Sequence, residues 1–146
     1  MVVIRTMREG DAAMVARLCL DLGYEATEAE IGERFARLST LADNRVWVAE
    51  RDGVVVGWVH CRDAHSLQSP PVMEISGIVV SPSCQGQGVG RRLLQACEAW
   101  ARQRGYQAIR LRSNIQRVEA HAFYRHLGYQ QQKTSHSFAL NLTDGQ

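Results

Sequence analysis

The sequence predicts an α+β fold, a mixed sheet with helices packed on it. Three observations predict it. Segments with a two-residue apolar period alternate along the chain with segments of helical period. Two of the strand-like runs flank a tight turn, which makes an antiparallel hairpin. Gly or Pro stands at most of the boundaries.

The elements follow in order. "VVIRT" opens as a short strand. "DAAMVARLCLDLG" reads as an amphipathic helix, because Val15, Leu18, Cys19 and Leu22 share one face and Gly23 suits its stop. "TEAEIGERFARLSTL" is a second helix, opened by a Thr27/Glu30 capping box, with Ile31, Phe35 and Leu38 on one face. "RVWVAERDGVVVGWVHCRD" is a hairpin around Arg51-Asp52-Gly53. "PPVMEISGIVVS" is a strand fenced by Pro70-Pro71 and Pro82, and Gly77 inside it signals a bulge or a close backbone approach. A glycine-rich stretch leads into a long helix with Val89, Leu93, Cys97 and Trp100 on one side, ended by Gly105. "YQAIRLRSN" is a strand, "QRVEAHAFYRHLG" a helix with an apolar face of Ala120, Phe123 and Leu127, and "SHSFALNL" a last strand by its alternation. The order reads β-α-α-β-β-β-α-β-α-β.

A chain of 146 residues, 45% apolar and 22% charged, buries a core without disulfide staples and reads as one domain over 1–146. A net charge of +2 argues against nucleic acid as the main partner, yet a local basic cluster suits a smaller anion. Cys19, Cys61, Cys84 and Cys97 form no C-x-x-C pair, so reduced thiols in a cytoplasmic protein are expected. No stretch approaches the roughly 20 apolar residues of a membrane span, and the N-terminus lacks the apolar run of a signal peptide. His60/His65 and His121/His126 are spaced wrongly for helical metal ligands, so no metal is expected.

The stretch "SCQGQGVGRRLL" raises the chemical question. Glycine costs a helix about 1 kcal/mol relative to alanine, yet Gly86, Gly88 and Gly90 stand where a helix begins. A strand, a bare turn and a helix N-terminus together make an anion site, because the first helical N–H groups lack partners and the dipole adds positive charge. Arg91 and Arg92 in the first turn add donors. A P-loop is excluded by the missing Lys-Ser/Thr, and a dinucleotide fingerprint by Arg91 standing where its third glycine belongs.

The spacing Gln85-x-x-Gly88-x-Gly90 after "EISGIVVSP", with "SNIQRVEAHAFYRHLGY" downstream, resembles the two signatures of the GNAT superfamily of N-acetyltransferases. Within it the second signature looks most like small bacterial aminoalkylphosphonate and aminoglycoside acetyltransferases. Cys84 departs from the family, which more often carries an aromatic residue there.

The resemblance implies a single GNAT-like domain, with a central, mostly antiparallel sheet of six to seven strands and about four flanking helices. It implies an acetyl-CoA-dependent acyltransferase acting on the primary amine of a small molecule. It assigns the pyrophosphate to Gln85, Gly86, Gln87, Gly88, Val89, Gly90 and Arg91, and pantetheine to the amides of Ile78, Val79 and Val80 and to Asn114. Tyr124 matches the family tyrosine that serves the departing thiolate; Arg117 and His121 share its helix face. A homodimer is compatible with it, because dimers are common among similar proteins.

An alkylammonium of pKa about 10.4 reaches its free amine at pH 7 only at a cost on the order of 4–5 kcal/mol. Glu74, on the strand before the loop in period-2 register with Ser76, Ile78 and Val80, is the carboxylate expected to act as general base; a strand-end glutamate that is solvated or paired to an arginine is the alternative. The acceptor pocket is expected from the first two helices and "HCRDAHSLQS", with Tyr24, Glu25, Asp63, His65 and Ser66 as its polar residues. A protein or peptide acetyltransferase, or a CoA-binding sensor without turnover, shares the loop and stays open.

Overall fold

A computed structural model describes residues 1–21, 23–112 and 118–143. Their contacts divide the chain into two compact units, Met1–Arg112 and Ser113–Gln146.

The first unit carries β1 (Val2–Thr6), α1 (Ala12–Asp21), α2 (Glu28–Leu38), β2 (Asn44–Arg51), β3 (Val54–Ala64), β4 (Val72–Val80), α3 (Val89–Gln103) and β5 (Ile109–Leu111). The strands form one sheet in the order β1-β2-β3-β4-β5. The first four are antiparallel neighbours, and β5 runs parallel to β4. The hairpin turns on Asp52 and Gly53 with φ of 52° and 79°, the primed geometry that matches strand twist.

Along β3, Trp58 and His60 face one layer and Gly57, Val59 and Cys61 the other, and the register shift opposite Ala49/Glu50 puts Val55 on the Trp58 side. Val15, Leu18 and Cys19 of α1 pack with Val46, Val48 and Val79 on one face of the sheet, with Ile31, Phe35 and Leu38 of α2 against the same cluster. Thr27 caps α2: its Oγ1 accepts from Glu30 N at 3.1 Å, and its own N–H donates to Glu30 Oε1 at 2.9 Å. On the other face lie Val89, Leu93, Leu94, Cys97 and Trp100 of α3, all buried. The Trp100 ring meets Trp47 of β2 edge-on at 5.8 Å. Burying Leu93 or Leu94 fully contributes about 1.5–3 kcal/mol each. Gly57 lets α3 approach: a Cβ there would stand 3.1 Å from Val79 O and 3.2 Å from Leu93 Cδ1.

The second unit carries α4 (Val118–His126), closed by Gly128. Among its described side chains Tyr124 is buried, while Phe123 is 38% exposed, so the apolar face expected of Phe123 is instead partly open to solvent.

Five strands are present among the described residues, not six to seven. The predicted last strand over 135–142 forms no ladder; Phe138, Leu140 and Leu142 are exposed. Alternation supplies a strand pattern, but only paired N–H and C=O groups make a strand. The four cysteines are free and buried, as reduced thiols.

Candidate active site

The turn after β4 is built by backbone conformation. Pro82–Cys84 form a tight 3₁₀ turn, and Gly88 caps α3. Gly86 and Gly88 both hold φ at 81°, where an L side chain is strained. A Cβ at either would meet nothing within 4 Å, so the space above the turn is open. The amides of Gly86, Gly88, Val89, Gly90 and Arg91 donate to no backbone carbonyl of a described residue; the first return bond runs from Arg92 N to Gly88 O at 3.1 Å. A row of free donors on the positive end of a 15-residue helix fits a diphosphate. Arg91 is exposed beside it, whereas Arg92 donates to the Val2 carbonyl and is committed to β1. Gln87 is steadied by Arg51, whose Nη1 donates to its Oε1 at 3.0 Å. Gln85 is exposed, and Val89 contributes its amide while its side chain lies in the core.

β4 carries a bulge. Ile75 pairs with Cys61 and Gly77 with His60, leaving Ser76 as the extra residue. The expected single face of Glu74, Ser76, Ile78 and Val80 is therefore broken: by register Glu74, Gly77 and Val79 lie with Arg62, His60 and Trp58, and Ile78 and Val80 with Val59 and Gly57. Gly77 also answers to a close approach, since a Cβ there would sit 3.0 Å from the Trp58 ring.

Glu74 is a buried, ion-paired carboxylate. Arg62 Nη2 donates to Oε1 at 2.7 Å, and Arg110 donates to Oε2 through Nε at 3.0 Å and Nη2 at 2.7 Å. Burial pushes its pKa up, but the Arg110 hydrogen bonds and the charges of Arg110, Arg62 and Arg112 outweigh burial and hold it below the ordinary value. The arginine-paired alternative for Glu74 is what the geometry shows.

A cavity of about 430 Å³ opens over β4 on the α1 and α2 side. Ser76, Gly77, Ile78 and Val79 form its floor; Tyr24, Glu25 and Ala26 stand on the α1–α2 connection beside it. Of the polar residues expected there, Tyr24 and Glu25 line it. Asp63 does not: it is buried on the α3 side and held by the Arg104 guanidinium and by Tyr106 OH at 2.8 Å. His65 and Ser66 also lie outside the lining, and Ser66 pairs with Ser69.

His60, on the cavity wall, belongs to the segment "HCRDAHSLQS" expected at the acceptor pocket, but the sequence weighs it only as a metal ligand and gives it no catalytic role. Its Nε2 lies 2.7 Å from Asn44 Oδ1, and Asn44 Nδ2 donates to Asp43 Oδ1 at 2.9 Å. That amide orientation places the proton on Nε2 and leaves the lone pair on Nδ1. Burial and the Arg62 charge lower its pKa, so the ring is neutral at pH 7. The available signal was its place on β3, two residues from Trp58 and on the same face.

On α4, His121 and Tyr124 are three residues apart and share a face; the Tyr124 ring meets Phe123 at 5.5 Å and Tyr129 at 6.3 Å. Asn114 and Arg117 lie outside the described residues. Among the described residues no group of three or more His, Cys, Asp or Glu side chains is placed to hold a metal, and no helix is long and apolar enough to cross a membrane.

Residues 13–129 match the Acetyltransferase (GNAT) family. The aminoglycoside N(6')-acetyltransferase type 1 of Stenotrophomonas maltophilia is 35% identical over 133 residues, which cover 88% of this chain and 86% of that one. The aminoalkylphosphonate N-acetyltransferase of Salmonella typhimurium is 39% identical over 85 residues, 58% of this chain and 55% of that one. Among solved structures, the aminoglycoside N-acetyltransferase AAC(6')-Iy in complex with CoA superposes with a TM-score of 0.87 at 19% identity, covering 96% of this chain and 95% of that one.

Proposed function

The chain belongs to the acetyltransferase (GNAT) family, whose members use acetyl-CoA, and from that premise we propose that it acetylates the primary amine of a small molecule held in the cavity over β4. The observation that carries this reading is the continuity of one strand with two sites. Residues 76–79 of β4 line a cavity of small-molecule size, and the same strand runs on into the turn whose amides point free. A cavity of about 430 Å³ suits a small-molecule acceptor; a peptide acceptor would use an extended groove for its chain. Residues 1–146 act in this reading as a single domain.

Acetyl-CoA supplies an acetyl group activated as a thioester. The amides of Gly86, Gly88, Val89, Gly90 and Arg91 bind its diphosphate, with Gln85 and Gln87 flanking, and the backbone of Ile78, Val79 and Val80 binds pantetheine, the Ile78 and Val80 amides alternating away from β3 to polarise the thioester carbonyl. Asn114, Arg117 and His121 contact the cofactor in this reading. The amine nitrogen forms the new C–N bond as the C–S bond breaks. Its proton goes to His60 Nδ1, because a neutral imidazole accepts a proton near pH 7 better than a carboxylate clamped by two arginines. Glu74 instead anchors Arg62 and Arg110, offsetting one of their two charges. The Tyr124 hydroxyl donates to the departing thiolate, as the family tyrosine does.

The experiment is thiol release from acetyl-CoA with small primary amines and with peptides. Release with small amines and not with peptide N-termini supports the reading. Protection against thermal unfolding by CoA, with no thiol from any acceptor, would replace it with a binding module.

A further inference from the structure

Building on that reading, we infer that the acceptor is an apolar monoamine, an alkyl or arylalkyl amine, and not a polycationic aminosugar or an aminophosphonate.

The lining of the cavity carries the argument. Met7, Val15, Phe35, Val46, Trp58 and Val79 bring apolar side chains to it from five elements and the segment after β1. Among the described lining residues Glu25 is the one carboxylate and Arg34 the one permanent cation. Glu25 is exposed, at the solvent end, and Arg34 reaches Glu30 at 3.9 Å on the surface of α2. Asp11, Asp63 and Glu74, the buried carboxylates of this unit, are each consumed by an arginine and lie outside the lining.

A polycation places several ammonium groups in such a space. Each one taken from water without a carboxylate is costly. A phosphonate needs a cationic clamp, and a single exposed arginine near Glu30 is a poor one. A molecule with one amine and an apolar body meets neither penalty. Its body displaces water from the α1–α2 wall, and its nitrogen lies at the β4 floor beside His60 and Ser76.

The same lining helps the chemistry. Apolar surroundings disfavour the ammonium form, so the amine's pKa falls on entry and the free base becomes more accessible. The Trp58 indole N–H, buried beside the Cys19 thiol, is a further polar group of that lining. It offers a donor and so adds nothing for a cation.

The test is kcat/KM for thiol release with unbranched primary alkylamines of increasing length, with 2-phenylethylamine, kanamycin and 2-aminoethylphosphonate beside them. A rise of about fourfold per added methylene over the shorter members, with kanamycin and the phosphonate at least tenfold below the best monoamine, is the expected result. Phe35→Ala, checked for folding by its CoA-dependent thermal shift, flattens the chain-length dependence. Kanamycin or the phosphonate turning over as well as the best monoamine would overturn the inference while leaving the small-amine reading intact. Thiol release with peptides alone would overturn both.

Discussion

His60 Nε2 lies 2.7 Å from the Asn44 carbonyl oxygen, and the Asn44 amide is anchored in turn by Asp43. One side-chain hydrogen bond between neighbouring strands therefore selects the tautomer of a histidine on the cavity wall. His60→Gln is expected to lower kcat at least tenfold, with the KM for acetyl-CoA little changed. Its folded pKa is below the usual histidine value, so kcat in the native protein holds as pH falls through 6.5 and declines only below it. Asn44→Ala frees the tautomer and moves that acidic limb; a pH profile of kcat in both variants measures it.

Glu74→Gln separates an anchor from a base. It leaves Arg62 and Arg110 with a neutral partner, so a loss of about 1–3 kcal/mol in urea unfolding is expected. Turnover at saturating amine falls less than in His60→Gln. A larger loss of kcat in Glu74→Gln than in His60→Gln would return the base role to Glu74.

Acid stability follows from two carboxylates. The bidentate Arg5 hydrogen bond holds the Asp11 pKa down, and at Glu74 the arginines outweigh burial to the same end. Their contribution is present above the unfolded carboxylate range near pH 4 and is lost as pH falls through the lowered values. Urea midpoints are expected to hold from pH 7 to about 5 and to drop below about 4; Asp11→Asn makes that drop shallower.

Much of this architecture was legible from residue pattern. The Thr27/Glu30 capping box, the Asp52-Gly53 turn and the Val89–Trp100 stripe rest on local chemistry, and each stands where that chemistry puts it. Register was harder to read. Gly77 signalled a bulge, but a bulge moves every later side chain to the other face, so the shared face assigned to Glu74, Ser76, Ile78 and Val80 did not survive it. Partners were hidden too: Arg104 and Tyr106 hold Asp63 from 41 and 43 residues away, and no local pattern announces such a clamp. His60 fell within the expected pocket segment but carried no proton-transfer role there, because its contact with Asn44 joins two strands and leaves no local pattern. The alternating segment over 135–142 shows the limit of periodicity, since its apolar residues lie exposed without a ladder.

Gly88→Ala tests the amide turn. Nothing stands within 4 Å of the added methyl, so the folding cost is that of a left-handed alanine, about 1–2 kcal/mol. The affinity for CoA is expected to fall about tenfold or more, because the methyl stands in the open space that the diphosphate fills. Calorimetric titration with CoA reads this directly, and a thermal melt without CoA separates the folding cost.

The central claim is that the acceptor amine sits in the cavity over β4 while CoA sits at the turn. Ala26, at the α1–α2 connection, lines that cavity and lies far along the chain from the turn at 85–91. Filling the space with Ala26→Trp and measuring the KM for the best amine together with the Kd for CoA tests the claim most directly. The account gives an amine KM raised at least tenfold with CoA affinity unchanged; an unchanged amine KM would contradict it.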